Sequence, residues 1–444
     1  VRLSSDTVLY QASWILPIVG PPIRSGGVMV GRDGRICGVG QLEEKTAAIT
    51  AKSQHTPLDF DSIRNSERVP RWVGERVGTD VTQVDVGHVA VLPGLTNAHT
   101  HLELAGLRGR IPPCNKMPNW AENVVKEKQM NDPICFEDIE RAVGEAWKCG
   151  TALVGDISNT MSSLGPLSNS RLGGVIFKEL IGFDIFGTAA EESVREAIAE
   201  IEQPLRAGLK LSLSAHAPYS VSLDMLSEIC AQIPDDPKLP YGIHLAESVD
   251  EVEFFQSGTG AWRGLLEKLG RWPKNWSPPG HRPVHYLEKI GFLGPRLLAT
   301  HGVVLKDDEL ERLARLDVVL VTCPRSNVWT GAGEPPIPRF YAAGGRIAVG
   351  TDSLASSPDM NLFSELEVLR RLAPNVSASR LLRSATLDGA QALGFGSDLG
   401  SIELGKLASL IAVDIPDNVD DVEEYLVSGL APDRVRWLES VEWK

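Results

Sequence analysis

Residues 89–108 read VAVLPGLTNAHTHLELAGLR. An apolar run, Val89 to Leu92, stops at Pro93-Gly94, resumes at Leu95 and delivers His99 and His101 with one residue between them. Side chains of an extended strand alternate between faces, so positions two apart point the same way. His99 and His101 therefore share a face, and Glu103 follows on the same period. Two imidazoles on one face at the end of a buried strand can grip one metal ion together. The remainder of the chain has to supply the partners.

Beyond this stretch, short β-branched or apolar runs recur. They lie at Val89–Thr96, Thr151–Ile157, Gly174–Leu180, Lys210–Ala215, Tyr241–Leu245, Arg296–Thr300, Asp317–Cys323 and Arg346–Val349. Amphipathic segments lie between most of them. Ser193-Val-Arg-Glu196 has the capping-box pattern and predicts a helix start, with Val194, Ile198, Ile201 and Leu205 at helical spacing. Ser222 predicts a second start, with Leu226, Ile229 and Ile233 on one stripe, and Lys306 a third, with Leu310 and Leu313 inward. Eight strands alternating with helices over roughly 300 residues predict a (β/α)8 TIM-type barrel rather than an open sheet. No GxGxxG turn follows the first strand, which argues against a dinucleotide fold.

The ends differ from the middle. Thr7–Ile18, Gly27–Val39 and Gly400–Asp414 read as short strands, while Ala51–Gln83 is polar and irregular, a surface excursion. The expected division is a small composite β-sandwich from residues 1–92 plus 396–444, and a catalytic barrel from 93–395.

Catalytic groups of such barrels gather at the C-terminal ends of the strands. Those ends carry His99, His101 and Glu103, then Lys178-Glu179, His216, His244 with Glu247, His301 and Asp352. Five of the nine histidines fall there, whereas His55, His88, His281 and His285 do not. Imidazole and carboxylate suit zinc and also iron. Three histidines, one carboxylate and a water satisfy a single-metal hydrolytic site, and Glu247 stands three residues past the candidate ligand His244.

Bulk properties narrow the class. The 444 residues are 43% hydrophobic and carry a formal net charge of -14, with a pI near 5.2. That balance argues against a general nucleic-acid or anionic-membrane binder. Six scattered cysteines form no CxxC pair, and no apolar run reaches the ~18 residues of a membrane span. A reducing, cytoplasmic setting is the expectation, with a small molecule as partner and self-association left open.

The ordered set HTHLE, SAHAPYS, HLAE, THG, CPRSN and GTDSLASSPDMNLFSE resembles the amidohydrolase superfamily, and within it the aminohydrolase branch of cytosine, guanine and adenosine-derivative deaminases and chlorohydrolases. The resemblance spans almost the whole chain. It implies that His99, His101, His244 and Asp352 hold one divalent metal, zinc first and ferrous iron second. It also implies that Asp352 takes a proton from water, Glu247 shuttles one to a ring nitrogen, His301 orients the metal-activated hydroxide and His216 contacts substrate. No lysine stands where two-metal members carry their bridging one.

The expected reaction is deamination of a purine, nucleoside or related amino-heterocycle with release of ammonia. Dechlorination or cyclic-amide hydrolysis at the same site is the alternative. A catalytically silent scaffold is the third, disfavoured because every expected ligand is present. Glu103, Ser353, Trp120 and Arg108 are the further candidates for substrate contact; the other reading of Glu103 is a buried, hydrogen-bonded carboxylate, and of Ser353 a turn serine. Arg325, Ser326 and Asn327 either bind substrate or cap a helix. The Trp- and Pro-rich stretch Gly258–Pro283 is expected to cover the pocket mouth or an oligomer contact.

Overall fold

The computed structural model describes residues 7–42, 73–74, 81–130, 134–233 and 235–438. Most of the polar excursion expected at Ala51–Gln83 lies outside them. Fifteen strands occur among the described residues: β1 Thr7–Ile15, β2 Ile23–Val30, β3 Ile36–Gln41, β4 Val73–Gly74, β5 Val81–Pro93, β6 Leu95–Thr100, β7 Thr151–Ser158, β8 Gly173–Leu180, β9 Leu209–Ala215, β10 Tyr241–Leu245, β11 Leu297–His301, β12 Val319–Thr322, β13 Arg346–Val349, β14 Leu410–Asp414 and β15 Val435–Trp437.

Strands β6 to β13 form one eight-stranded sheet in sequence order, with parallel pairing between successive strands. Helices occupy most of the connections, as a parallel sheet requires. This is the (β/α)8 barrel. The residues of β7, β10, β11 and β12 are buried throughout, so these strands read as continuous apolar runs rather than as alternations.

The barrel closes where β13 meets β6. The Asn97 side chain donates to Thr351 Oγ1 (2.8 Å) and accepts the Thr351 N–H (3.1 Å). The Asp352 N–H donates to the His99 carbonyl (3.0 Å). Gly350 makes this approach feasible, because a Cβ there would stand 2.7 Å from the His99 oxygen and 2.8 Å from its Cβ.

A second, seven-stranded sheet runs β15-β14-β5-β1-β2-β3-β4, so both ends of the chain build it. Its pairings are antiparallel except for β1 with β5, whose register shifts around Ala12. The expected strand Val89–Thr96 is thereby corrected. Val89–Leu92 belongs to β5 in this outer sheet, and the barrel strand is Leu95–Thr100. Gly94 is the switch between sheets: its N–H bonds the Ser409 carbonyl (2.9 Å), and a Cβ there would meet Ala152 and Trp437, each at 2.7 Å.

Among helices, Ser222 caps Leu223–Gln232 by accepting the Met225 N–H, as expected. The helix after Lys306 runs Asp307–Arg315 with Leu310 and Leu313 buried. The Ser193 start is wrong. That helix spans Thr188–Ile201 and opens at Gly187, so Ser193 lies inside it; the hydroxyl pattern matched a cap, but the positive φ of Gly187 (56°) set the actual turn.

The close approach at Gly350 yields a direct prediction. Gly350→Ala should overpack the seam and cost about 1–3 kcal/mol, read as a lower Tm. Gly144→Ala, in an open helical position with nothing within 4 Å, should hold or raise Tm.

Candidate active site

The seam brings first- and last-strand side chains together. His99 lies in β6, and His101 follows it on the same side; Thr100 between them donates instead to the Asp352 carbonyl (3.1 Å). His244 ends β10, His301 ends β11 and Asp352 follows β13. His101 Nε2 is 3.3 Å from His244 Nε2. Asp352 Oδ1 is 3.6 Å from His101 Nε2 and 3.8 Å from His99 Nε2. A tetrahedral ion held at about 2.0–2.1 Å by four ligand atoms separates them by about 3.3–3.4 Å. The observed spacings fit such an ion, and His99 Nε2 is buried without any hydrogen-bond partner. Buried polar atoms are normally satisfied, so an orphan here points to a missing ligand.

The His244 imidazole is held in the tautomer that a metal needs. His244 Nδ1 bonds the His216 carbonyl at 2.7 Å, which leaves Nε2 with its lone pair. His99 Nδ1 faces Thr300 Oγ1 at 3.4 Å. Burial, reinforced by neighbouring imidazoles, keeps His99 and His244 well below the ordinary histidine pKa, and brings His216 down to about 3. For His301 burial outweighs the pull of Asp352 and brings it to about 4. The rings are therefore neutral near pH 7, with lone pairs available.

The two key carboxyl groups are pushed apart. Burial works to raise Asp352, but His101, His99 and His301 outweigh it and hold it at about 2. Ser326 Oγ donates to its Oδ2 (2.5 Å) and the Ser353 N–H to its Oδ1 (2.7 Å). Burial first, then the charges of Asp352 and Glu251, push Glu247 well above the usual carboxylate range. Glu247 Oε1 stands 3.7 Å from His301 Nε2. One carboxylate and one protonated carboxylic acid on the same floor can divide base and acid roles.

The site is also strained. Ala246, His301 and Asp352 have φ of 51°, 80° and 60°, the left-handed region that L-residues hold only when their surroundings enforce it. Here the closed barrel and the hydrogen bonds around it do so.

Above this floor opens a cavity of 620 Å³. His101, His216, His244, Glu247, His301, Asp352, Ser353 and Trp120 line it, so these expected residues do converge. Of the expected substrate contacts, two do not reach it, and His99 lies beneath its lining. Arg108 is half-exposed and pairs with Glu145 (2.6 Å) in a different surface cleft. Glu103 turns away and accepts from Ser158 Oγ, Asn159 N, Thr160 N and Thr160 Oγ1 at 2.8–3.1 Å. Burial works to raise Glu103, yet those donors outweigh it and hold the acid below its usual range. The period-two reading does not extend to Glu103, because β6 ends at Thr100 and Glu103 lies in the 3-10 helix Leu102–Leu107, where the chain after β7 takes up its carboxylate.

Ser326 and Asn327 neither cap a helix nor line the cavity. Ser326 holds Asp352, and Asn327 Nδ2 meets His301 Nδ1 at 2.9 Å. Arg325 is tied to Glu365 and Asp359.

The Trp/Pro-rich stretch supplies much of the cavity wall: Trp262, Leu265, Leu266 and Leu269. Behind it Trp276 stacks on Phe254 (4.9 Å between centroids). Sequence reasoning missed Tyr219 and Phe183, and it placed Glu179 at a strand end without giving it a role. Tyr219 stands inside the SAHAPYS motif and stacks on Trp262 at 4.0 Å. Glu179, at the end of β8, is raised to about 8, chiefly by burial, with Glu103 reinforcing it.

A closed (β/α)8 barrel with neutral histidines and an ionised aspartate converging at its C-terminal strand ends defines a metal-dependent hydrolase. Residues 90–435 match the family model described as the amidohydrolase family, and the chain belongs to that family. A 5-methylthioadenosine/S-adenosylhomocysteine deaminase of Syntrophobacter fumaroxidans is 31% identical over 372 residues, covering 80% of this chain and 79% of its own. An aminodeoxyfutalosine deaminase of Deinococcus radiodurans is 31% identical over 321 residues, covering 68% and 73%. Among solved structures, an adenosine deaminase of Xanthomonas campestris with bound zinc superposes with a TM-score of 0.70 at 24% identity, over 96% of this chain and 90% of that one.

The arrangement predicts separable losses. His99→Ala should purify with its metal content sharply reduced, whereas Glu247→Gln should retain the parent's content. Elemental analysis of the purified proteins, read per chain, checks both.

Proposed function

We propose that this protein deaminates adenosine-type nucleosides, replacing the ring amino group by oxygen and releasing ammonia. The observation that carries the reading is the paired floor of one cavity: the Asp352 carboxylate beside His99 and His101, and the Glu247 carboxyl beside His301. The deaminase names of the relatives that cover most of the chain support it.

In this reading His99, His101, His244 and Asp352 hold one divalent ion, with zinc the first choice and ferrous iron the second. Such an ion supplies, when bound, a water whose pKa is lowered to about 7. Asp352 would take a proton from the attacking water, and His301 Nε2 would orient its oxygen. Glu247 gives its proton to the ring nitrogen next to the amino-bearing carbon, which makes that carbon electrophilic. The carbon becomes tetrahedral, Asp352 passes its proton to the amine, the C–N bond breaks to release ammonia, and the new hydroxyl returns its proton to Glu247 as the carbonyl forms. His216 and Ser353, both on the cavity wall, contact the substrate, and Trp120 packs against it.

The finer substrate reading follows from the wall. Beyond the polar floor it combines Trp120, Val124, Phe183, Tyr219, Trp262 and Leu265 with Lys128, Gln129, Asp184 and Arg271, which favours a nucleoside whose 5′ substituent has an apolar part and a polar end over adenosine itself. The chain divides, in our proposal, into a 93–395 catalytic barrel and an outer unit from 1–92 plus 396–444. A cytoplasmic location accords with six cysteines that are all free thiols, and no described helix is long and apolar enough to cross a membrane.

Ammonia release is the test. The metal-loaded protein should deaminate 5′-methylthioadenosine, S-adenosylhomocysteine or aminodeoxyfutalosine with a higher kcat/KM than adenosine. Glu247→Gln should lower kcat by about 10²- to 10⁴-fold. No ammonia from any of them, with metal bound, would contradict the reading.

A further inference from the structure

Glu251 is wholly buried and stands in the first turn of the helix Val249–Ser257, which begins just past Glu247. Its side chain reaches back rather than forward. Oε1 accepts the Ala246 N–H at 3.0 Å and Oε2 the Glu247 N–H at 2.8 Å. Ser248 Oγ accepts the Glu251 N–H at 3.3 Å and so fixes the first turn of the helix. One carboxylate thus satisfies two consecutive backbone donors in a buried turn, where leaving them unpaired would be costly.

The turn needs such a hold. Ala246 is a non-glycine residue at φ 51°, and its carbonyl accepts the Val304 N–H at 3.0 Å. The Leu245 carbonyl accepts the Gly302 N–H, also at 3.0 Å. The peptide before Glu247 is therefore pinned on one side to the chain just after His301, and on the other to Glu251. Nothing else hydrogen-bonded to the Glu247 N–H appears among the described residues.

We infer that Glu251 is a positioning residue: its carboxylate clamps the Ala246 and Glu247 N–H groups and so holds the Glu247 carboxyl at its station beside His301. The inference rests on Glu247 being the proton donor. A group that moves a proton in the transition state must be placed within a fraction of an ångström, and a misplacement of about 1 Å can cost on the order of 10²-fold. Glu251 itself touches neither cavity nor candidate metal ligand.

The test is a double-mutant cycle with 5′-methylthioadenosine, or whichever nucleoside the metal-loaded parent deaminates fastest. Glu251→Gln keeps the shape but turns an NH₂ group toward one backbone N–H. Its kcat should fall about 10- to 100-fold, while KM stays within about threefold and metal content per chain matches the parent. In a Glu247→Gln background the same substitution should cost no further kcat, because the group it positions has gone. Should Glu251→Gln fold poorly, Ser248→Ala loosens the same turn, and it should lower kcat alone but not in the Glu247→Gln background. Additive losses in the cycle, or a Glu251→Gln kcat within twofold of the parent, would overturn the inference. A Glu247→Gln enzyme with parental kcat would instead sink the proton-donor role on which the inference rests.

Discussion

The hydrogen bond from the Asp352 N–H to the His99 carbonyl, across the line where the last barrel strand meets the first, is the constraint on which the site depends. It joins the two ends of an eight-stranded sheet and sets the ionised aspartate beside the histidine pair. Gly350 lets the strands come that close, and Asn97 fills the remaining polar needs of the seam with both ends of its amide. A barrel that failed to close here would keep its helices and most of its core, yet its ligand groups would no longer converge.

Closure also creates the electrostatics. Five imidazoles and several carboxyl groups are withdrawn from water into one small volume, and the low-dielectric setting drives their proton affinities apart. Burial holds the histidines low and pushes Glu247 high, while Asp352 stays low, with the Ser326 hydroxyl and the Ser353 N–H donating to its carboxylate. Left-handed backbone at Ala246, His301 and Asp352 aims these groups. Around them stands a second layer of contacts: the His216 carbonyl on His244, Ser326 on Asp352 and Asn327 on His301. That layer converts a cluster of buried polar groups, costly on its own, into a site of fixed geometry.

Much of this was legible in the sequence, and the reason is period. Alternating strands and helices announced the barrel, and the position of each histidine at a strand end announced the floor of the cavity, because in parallel barrels those ends share one face. The misreadings also have physical causes. Val89–Leu92 is as apolar as a barrel strand, yet Pro93-Gly94 hands the chain from one sheet to the other, a distinction that hydrophobicity does not carry. Strand alternation stops at Thr100, before Glu103, and whether its carboxylate meets the cavity or a backbone loop depends on Ser158–Thr160, which are distant in sequence. Arg108 was placed by its loop, and the loop turns outward to Glu145. Ser326 and Asn327 look like helix-capping residues in any local reading; their partners Asp352 and His301 become neighbours only in the folded barrel.

The central claim is that His99, His101, His244 and Asp352 form one centre that takes a single divalent ion at the barrel seam. Anomalous scattering from crystals of the metal-loaded protein, collected at the zinc edge, tests it most directly. The account predicts one strong peak about 2.0–2.2 Å from the three Nε2 atoms and an Asp352 oxygen. A principal peak lodged instead among Glu179, His216 and His244, or none at the seam in protein that carries stoichiometric metal, would contradict it.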